Sequence, residues 1–160
     1  MLNTIRKLWS GLSASLRQPP VESRIIQLKN SEQLPRRHNP KFDHILIVDD
    51  IPGYAQDSLE TIRQFYNNSE LTVYISHTFA ASLALFQQYD IKLVILDLDL
   101  NDFQGDGTIL LRNFLLQRPK ITVLANSSER RYNDILLEGG ATAALAKDVK
   151  KLREWLADNG

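Results

Sequence analysis

Three apolar runs of this chain end in side chains suited to phosphoryl chemistry. Asp49 and Asp50 close His-Ile-Leu-Ile-Val, Asp97 closes Leu-Val-Ile-Leu, and Lys147 closes Ala-Ala-Leu-Ala. Runs this short and this apolar fit strands of a parallel sheet covered on both faces, and the carboxyl edge of such a sheet is where open α/β folds bind ligands. Side by side, these strands would bring two or three carboxylates to one ammonium group. Hard divalent cations take oxygen ligands of that kind, and lysine is a compact charge that can reach a phosphoryl oxygen. The set therefore points to a divalent cation and a phosphoryl group.

The segments between these ends must position them. From Asp43 onward, short apolar runs alternate with stretches of helical period, the signature of βαβ units. The pattern predicts strands at 44–48, 71–75, 92–97, 120–125 and 141–146, and helices near 55–67, 79–89, 107–117, 129–139 and 149–158. Apolar spacings of three and four mark the core face of each helix: Leu59, Ile62 and Tyr66; Phe79, Leu83 and Phe86; Leu110, Phe114 and Leu115; Tyr132, Ile135 and Leu136; Leu152, Trp155 and Leu156. Ser127-Ser128 offers an N-cap to the fourth helix, and Gly139-Gly140 stops it.

Composition narrows the function classes. The chain has 160 residues, 43% of them apolar, enough for one domain with a filled core. It has no cysteine, which excludes disulfides, zinc-thiolate sites and thiol chemistry and is compatible with a reducing compartment. No window has the length of apolar sequence that a membrane span needs, and the amino end lacks the pattern of a secretory signal. The expected location is cytoplasmic, with peripheral contact at the inner face of the membrane as an option. Equal totals of acidic and basic residues hide a split: residues 1–42 carry eight Lys/Arg against Glu22 and Glu32, and the remainder is acidic. An acidic domain is a poor binder of phosphate backbones, so a nucleic-acid partner is not expected.

Residues 1–18 have their own pattern. Leu2, Ile5, Leu8, Trp9, Leu12 and Leu16 fall on an apolar arc of about 120°, with Arg6, Lys7 and Arg17 opposite. This predicts an amphipathic basic helix, for a membrane surface or a partner, and Pro19-Pro20 ends it. Residues 19–42 read as a linker, with a strand or turn at Arg24 to Leu28.

The segments His44-Ile-Leu-Ile-Val-Asp-Asp50, Leu93-Val-Ile-Leu-Asp-Leu-Asp-Leu100 and Gly140-Ala-Thr-Ala-Ala-Leu-Ala-Lys-Asp148 together resemble the receiver domain of two-component response regulators, over about residues 43–160. The resemblance implies a flavodoxin-like, doubly wound parallel sheet of five strands in the order 2-1-3-4-5, with five helices. It implies Asp97 as the phosphoacceptor. Mg²⁺ would be held by Asp50, Asp97 and the backbone carbonyl of Asp99, with Asp49 acting through a water, and Lys147 would contact the phosphoryl group. A sensor histidine kinase or phosphotransfer protein would be the donor, in two-component or phosphorelay signalling, with output through protein-protein contact rather than enzymatic activity.

Two family positions depart from the pattern. The hydroxyl residue at the end of the fourth strand aligns with Ala125, and the aromatic residue of the fifth strand with Ala144. Both moving parts of the usual switch would then be lost, and the readout weakened. A shift of two residues keeps strand parity and brings Ser127 to the hydroxyl position. The loop after Asp97 is longer than usual in the family, with Gly105 and Gly107 in it. One alternative is a phosphorylation-independent pseudo-receiver that acts as an adaptor. Another is a phosphatase resembling the haloacid-dehalogenase group, with Asp97 attacking and Asp99 as acid/base.

Overall fold

The computed structural model describes residues 23–29, 40–67 and 69–160. The predicted helix at 1–18, with Leu2, Ile5, Trp9, Leu12 and Leu16, lies outside the described residues.

The strands are β1 (Ser23–Leu28), β2 (His44–Val48), β3 (Leu71–Ser76), β4 (Leu93–Leu96), β5 (Thr122–Ala125) and β6 (Ala143–Ala144). The helices are α1 (Pro52–Phe65), α2 (Phe79–Gln88), α3 (Gly107–Gln117), α4 (Arg130–Glu138) and α5 (Val149–Asn159). The sheet order is β1-β3-β2-β4-β5-β6. All pairings from β3 to β6 are parallel, so the expected five-stranded order stands.

The central strands read as unbroken apolar runs because both sheet faces are covered. Ile45 and Ile47 of β2 face Ala55, Leu59 and Ile62 of α1 and Leu152 and Leu156 of α5. Leu46 and Val48 face the opposite core, filled by Leu85 and Phe86 of α2, Leu110, Leu111 and Phe114 of α3, and Leu136 of α4. Phe86 and Phe114 stack there at 4.2 Å between centroids.

The sixth strand lies where the sequence offers a strand or turn, at Arg24 to Leu28 within the 19–42 linker, and ties that part of the segment into the sheet. β1 pairs antiparallel with β3 along its whole length, from Ser23 opposite Ser76 to Leu28 opposite Leu71. Its alternation explains the fit: Ile25 packs on one core, Ile26 and Leu28 on the other, while Arg24 and Gln27 are exposed. It also covers backbone groups of β3 that an open edge would leave unpaired. Arg24 reaches across to Gln56 of α1 at 3.2 Å.

Two further boundaries moved. Pro52 starts α1 three residues before the expected 55, since its fixed φ and missing N–H suit a first helical position. The last strand has two residues rather than six because Ala146 and Lys147 turn left-handed, at φ 56° and 57°.

Candidate functional site

The site forms where the backbone ladder runs one residue past the strands. Asp49 N–H donates to the Ser76 carbonyl (3.1 Å), Asp97 N–H to that of Val48 (2.9 Å), and Asn126 N–H to that of Leu96 (2.8 Å). These bonds hold Asp49, Asp97 and Asn126 in register at the carboxyl edge. Gly107 closes the loop after Asp97: its N–H donates to the Leu98 carbonyl at 2.7 Å, and a Cβ there would collide with the Asp97 carbonyl and Leu98 Cα. Only glycine permits that approach.

Carboxylate oxygens of Asp49, Asp50 and Asp97 lie within 4.8 Å of one another. Lys147 extends into the group, bonding the Asp49 carboxylate and, at 2.7 Å, Oδ2 of Asp97. Its side chain is 6% exposed, those of Asp49 and Asp97 2% and 8%. The four residues that the strand ends predict to converge do so. Three carboxylates against one ammonium leave two negative charges in excess, which matches one divalent cation. Hard oxygen donors gathered this closely are compatible with a divalent cation.

Burial raises the pKa of two of the pocket carboxyls. Burial holds the Asp49 carboxyl above its ordinary value, against the opposing pull of Lys147. Asp50 is also raised, first by burial and then by the negative charges of Asp97 and Asp99. Asp99 itself is exposed, and its carboxylate accepts a bond from Asn101 N–H at 3.2 Å, an Asx turn outside the carboxylate cluster.

Ser127 supplies a hydroxyl that the first alignment denies. Its Oγ donates to Oδ1 of Asp97 at 2.5 Å and accepts from Leu98 N–H at 3.0 Å. Ala125 is buried in the core beneath α3 and α4, so the hydroxyl comes from two residues further on, past the strand end. The same bonds overturn the N-cap reading of Ser127: the α4 N-cap is Glu129, without a side-chain cap bond. Ala144 is half-buried against the core and brings no ring.

Several polar partners were not legible as site residues. Asn133 of α4 is buried and brackets Ser127, accepting from its N–H (2.9 Å) and donating to its carbonyl (2.7 Å). Its spacing of three from Leu136 puts it on the core face of α4, a signal the apolar stripe conceals. His77 Nδ1 lies 2.7 Å from the Asp49 carbonyl. Asn126 accepts from Lys147 N–H at 2.9 Å, and the Tyr54 ring lies 4.6 Å from the Lys147 ammonium.

The phosphatase alternative finds no support in this geometry. It requires Asp99 aimed at the reacting centre and a later acidic metal residue. Asp99 points to its own loop, Asp148 caps α5, and Glu154 faces Lys150 at 3.8 Å.

Solved structures share the whole α/β arrangement. A response regulator from Burkholderia pseudomallei, determined with a phosphorylated aspartic acid, calcium ion and citrate, has a TM-score of 0.53 and 14% identity, covering 73% of each chain. The receiver domain of NtrX from Brucella abortus has a TM-score of 0.58 and 19% identity, covering 72% of this chain and 99% of that one. The chemotaxis protein CheY4 of Vibrio cholerae gives 0.59 and 19%, over 73% and 98%. No family model and no curated protein matches the chain. The fold is that of the response-regulator receiver domains. Among the described residues, no helix is long and apolar enough to cross a membrane.

Proposed function

We propose that this chain is a receiver that accepts a phosphoryl group on Asp97 with Mg²⁺ and acts through contacts with other proteins. One observation carries this reading: the Asp97 carboxylate lies between the Ser127 hydroxyl and the Lys147 ammonium, beside two further carboxylates. Asp50 and Asp97 would hold the ion directly, with the Asp99 carbonyl and, through a water, Asp49. Bound there, Mg²⁺ supplies the positive charge that lets an anionic donor approach.

The chain's own groups then divide the work. A carboxylate oxygen of Asp97 forms the new O–P bond as the donor's P–N or P–O bond breaks, and the bonding pair leaves with the donor's imidazole or carboxylate. Lys147 turns from Asp97 Oδ2 to a phosphoryl oxygen, compensating charge that moves onto the transferred group. The Ser127 hydroxyl turns its proton to a second phosphoryl oxygen. A histidine kinase or histidine phosphotransfer protein is the donor class this chemistry fits. The basic amphipathic pattern of residues 1–18 supports peripheral contact with an anionic membrane, tested by liposome sedimentation with and without that segment.

Ala144 favours a second reading, a phosphorylation-independent adaptor, since no ring is available to turn inward. Treatment with a small acyl phosphate, with and without Mg²⁺, separates the two. Metal-dependent phosphorylation of the wild type and none in Asp97→Asn supports the receiver; no modification in either leaves the adaptor.

A further inference from the structure

We propose that Tyr54 and Asn126 are positioning residues of Lys147, one capping its ammonium and the other holding its backbone. Together they set the competition between this lysine and a divalent cation for the pocket carboxylates. The inference rests on the reading of the pocket as a metal-assisted phosphoacceptor.

Lys147 sits where a lysine does not settle unaided. Ala146 and Lys147 are consecutive non-glycine residues in the left-handed region, a conformation that needs outside support. Asn126 provides it. Its own N–H is tied to the Leu96 carbonyl at the end of β4, and its buried side-chain oxygen accepts from Lys147 N–H at 2.9 Å. The Asp148 N–H closes the same turn on the Leu145 carbonyl at 3.1 Å.

The ammonium end is fixed separately. It has three N–H donors, and bonds to Asp49 and Asp97 use two. Tyr54, on the first turn of α1, places its ring 4.6 Å from the nitrogen, within range of a cation–π contact. The ring meets the charge, so phenylalanine should serve equally well and leucine should not.

The consequence concerns which cation the carboxylates see. Lys147 bonds Asp97 and Asp49, and Mg²⁺ would take Asp97 directly and Asp49 through a water, so each restraint on the lysine opposes the metal. The same restraints pre-set the ammonium for a phosphoryl oxygen, reducing what must be ordered on binding. Loosening Lys147 therefore moves the two affinities in opposite directions, whereas general damage to the pocket weakens both.

The test uses the full chain as wild type, Tyr54→Phe, Tyr54→Leu and Asn126→Leu. Calorimetry measures Mg²⁺ affinity, and beryllofluoride titration at saturating Mg²⁺ measures phosphoryl-mimic affinity. Each leucine variant is expected to bind Mg²⁺ about threefold more tightly and beryllofluoride about threefold more weakly, with Tyr54→Phe matching wild type. A third readout needs no phosphoryl chemistry: acylation of Lys147 by an amine-reactive reagent in chelator, followed by peptide mass spectrometry, should speed up in both leucine variants only. Equal Lys147 reactivity in all four proteins, both affinities falling together, or Tyr54→Phe behaving like Tyr54→Leu overturns the proposal. If wild type binds neither Mg²⁺ nor beryllofluoride, the receiver reading fails, and the acylation rates still decide the role of Tyr54 and Asn126.

Discussion

Replacing Lys147 by methionine removes the ammonium that bonds the pocket carboxylates while keeping the bulk of the side chain. At 2.7 Å and an effective dielectric near 20, the Lys147–Asp97 attraction is about 6 kcal/mol before desolvation is counted. Breaking a buried pair by removing one partner typically costs about 3–5 kcal/mol, because the other charge stays buried and uncompensated. Here two carboxylates are left so, while the volume change adds less than about 1.5 kcal/mol. Lys147→Met should therefore lose about 3–5 kcal/mol at neutral pH in chelator. Saturating Mg²⁺ should restore much of it, since a ligand at a hundred times its dissociation constant stabilises by about 2.7 kcal/mol. Urea unfolding followed by circular dichroism, with chelator and with Mg²⁺, measures both. A variant within about 1 kcal/mol of wild type in chelator would refute the idea that Lys147 neutralises this pocket.

Ser127→Ala leaves the Leu98 N–H and Asp97 Oδ1 each short of a partner, and should cost about 1–3 kcal/mol by urea unfolding while slowing acyl-phosphate labelling. Gly107→Ala forces a Cβ against the Asp97 carbonyl and should cost about 1–3 kcal/mol or more, with labelling reduced by displacement of Asp97. Asp49 and Asp50 both bind protons more tightly folded than at their ordinary value of 3.8. Their stabilising contribution is thus full below 3.8 and lost as pH rises through the raised folded values. Metal-free wild type should show this slope in unfolding curves across mildly acidic pH, and Asp49→Asn should flatten it.

What was readable in the sequence is what topology alone determines. A residue at the end of a parallel strand must stand at the carboxyl edge, so Asp49, Asp50, Asp97 and Lys147 could be brought together before any side-chain position was known. The five helices were equally open, because their apolar stripes face two covered sheet faces. β1 was harder. Only Ile25, Ile26 and Leu28 are apolar, and their burial depends on β3 presenting an edge, a non-local fact. The hydroxyl at Ser127 turned on where β5 stops, and a shift of two residues keeps the face while changing the residue. Tyr54 and Asn126 act through loop geometry and the rotation of α1 on the sheet, which no periodicity encodes, while Asn133 shares the core face of α4 with Leu136 but is polar and so falls outside the apolar stripe.

The central claim is that Asp97 takes a phosphoryl group. Treating the full chain with a small acyl phosphate and Mg²⁺, trapping the acyl phosphate with borohydride and mapping the reduced residue by peptide mass spectrometry tests it most directly. The account predicts a single reduced site at Asp97, lost when Mg²⁺ is chelated and absent from Asp97→Asn. Reduction at another carboxylate, or none with Mg²⁺ demonstrably bound, would contradict it.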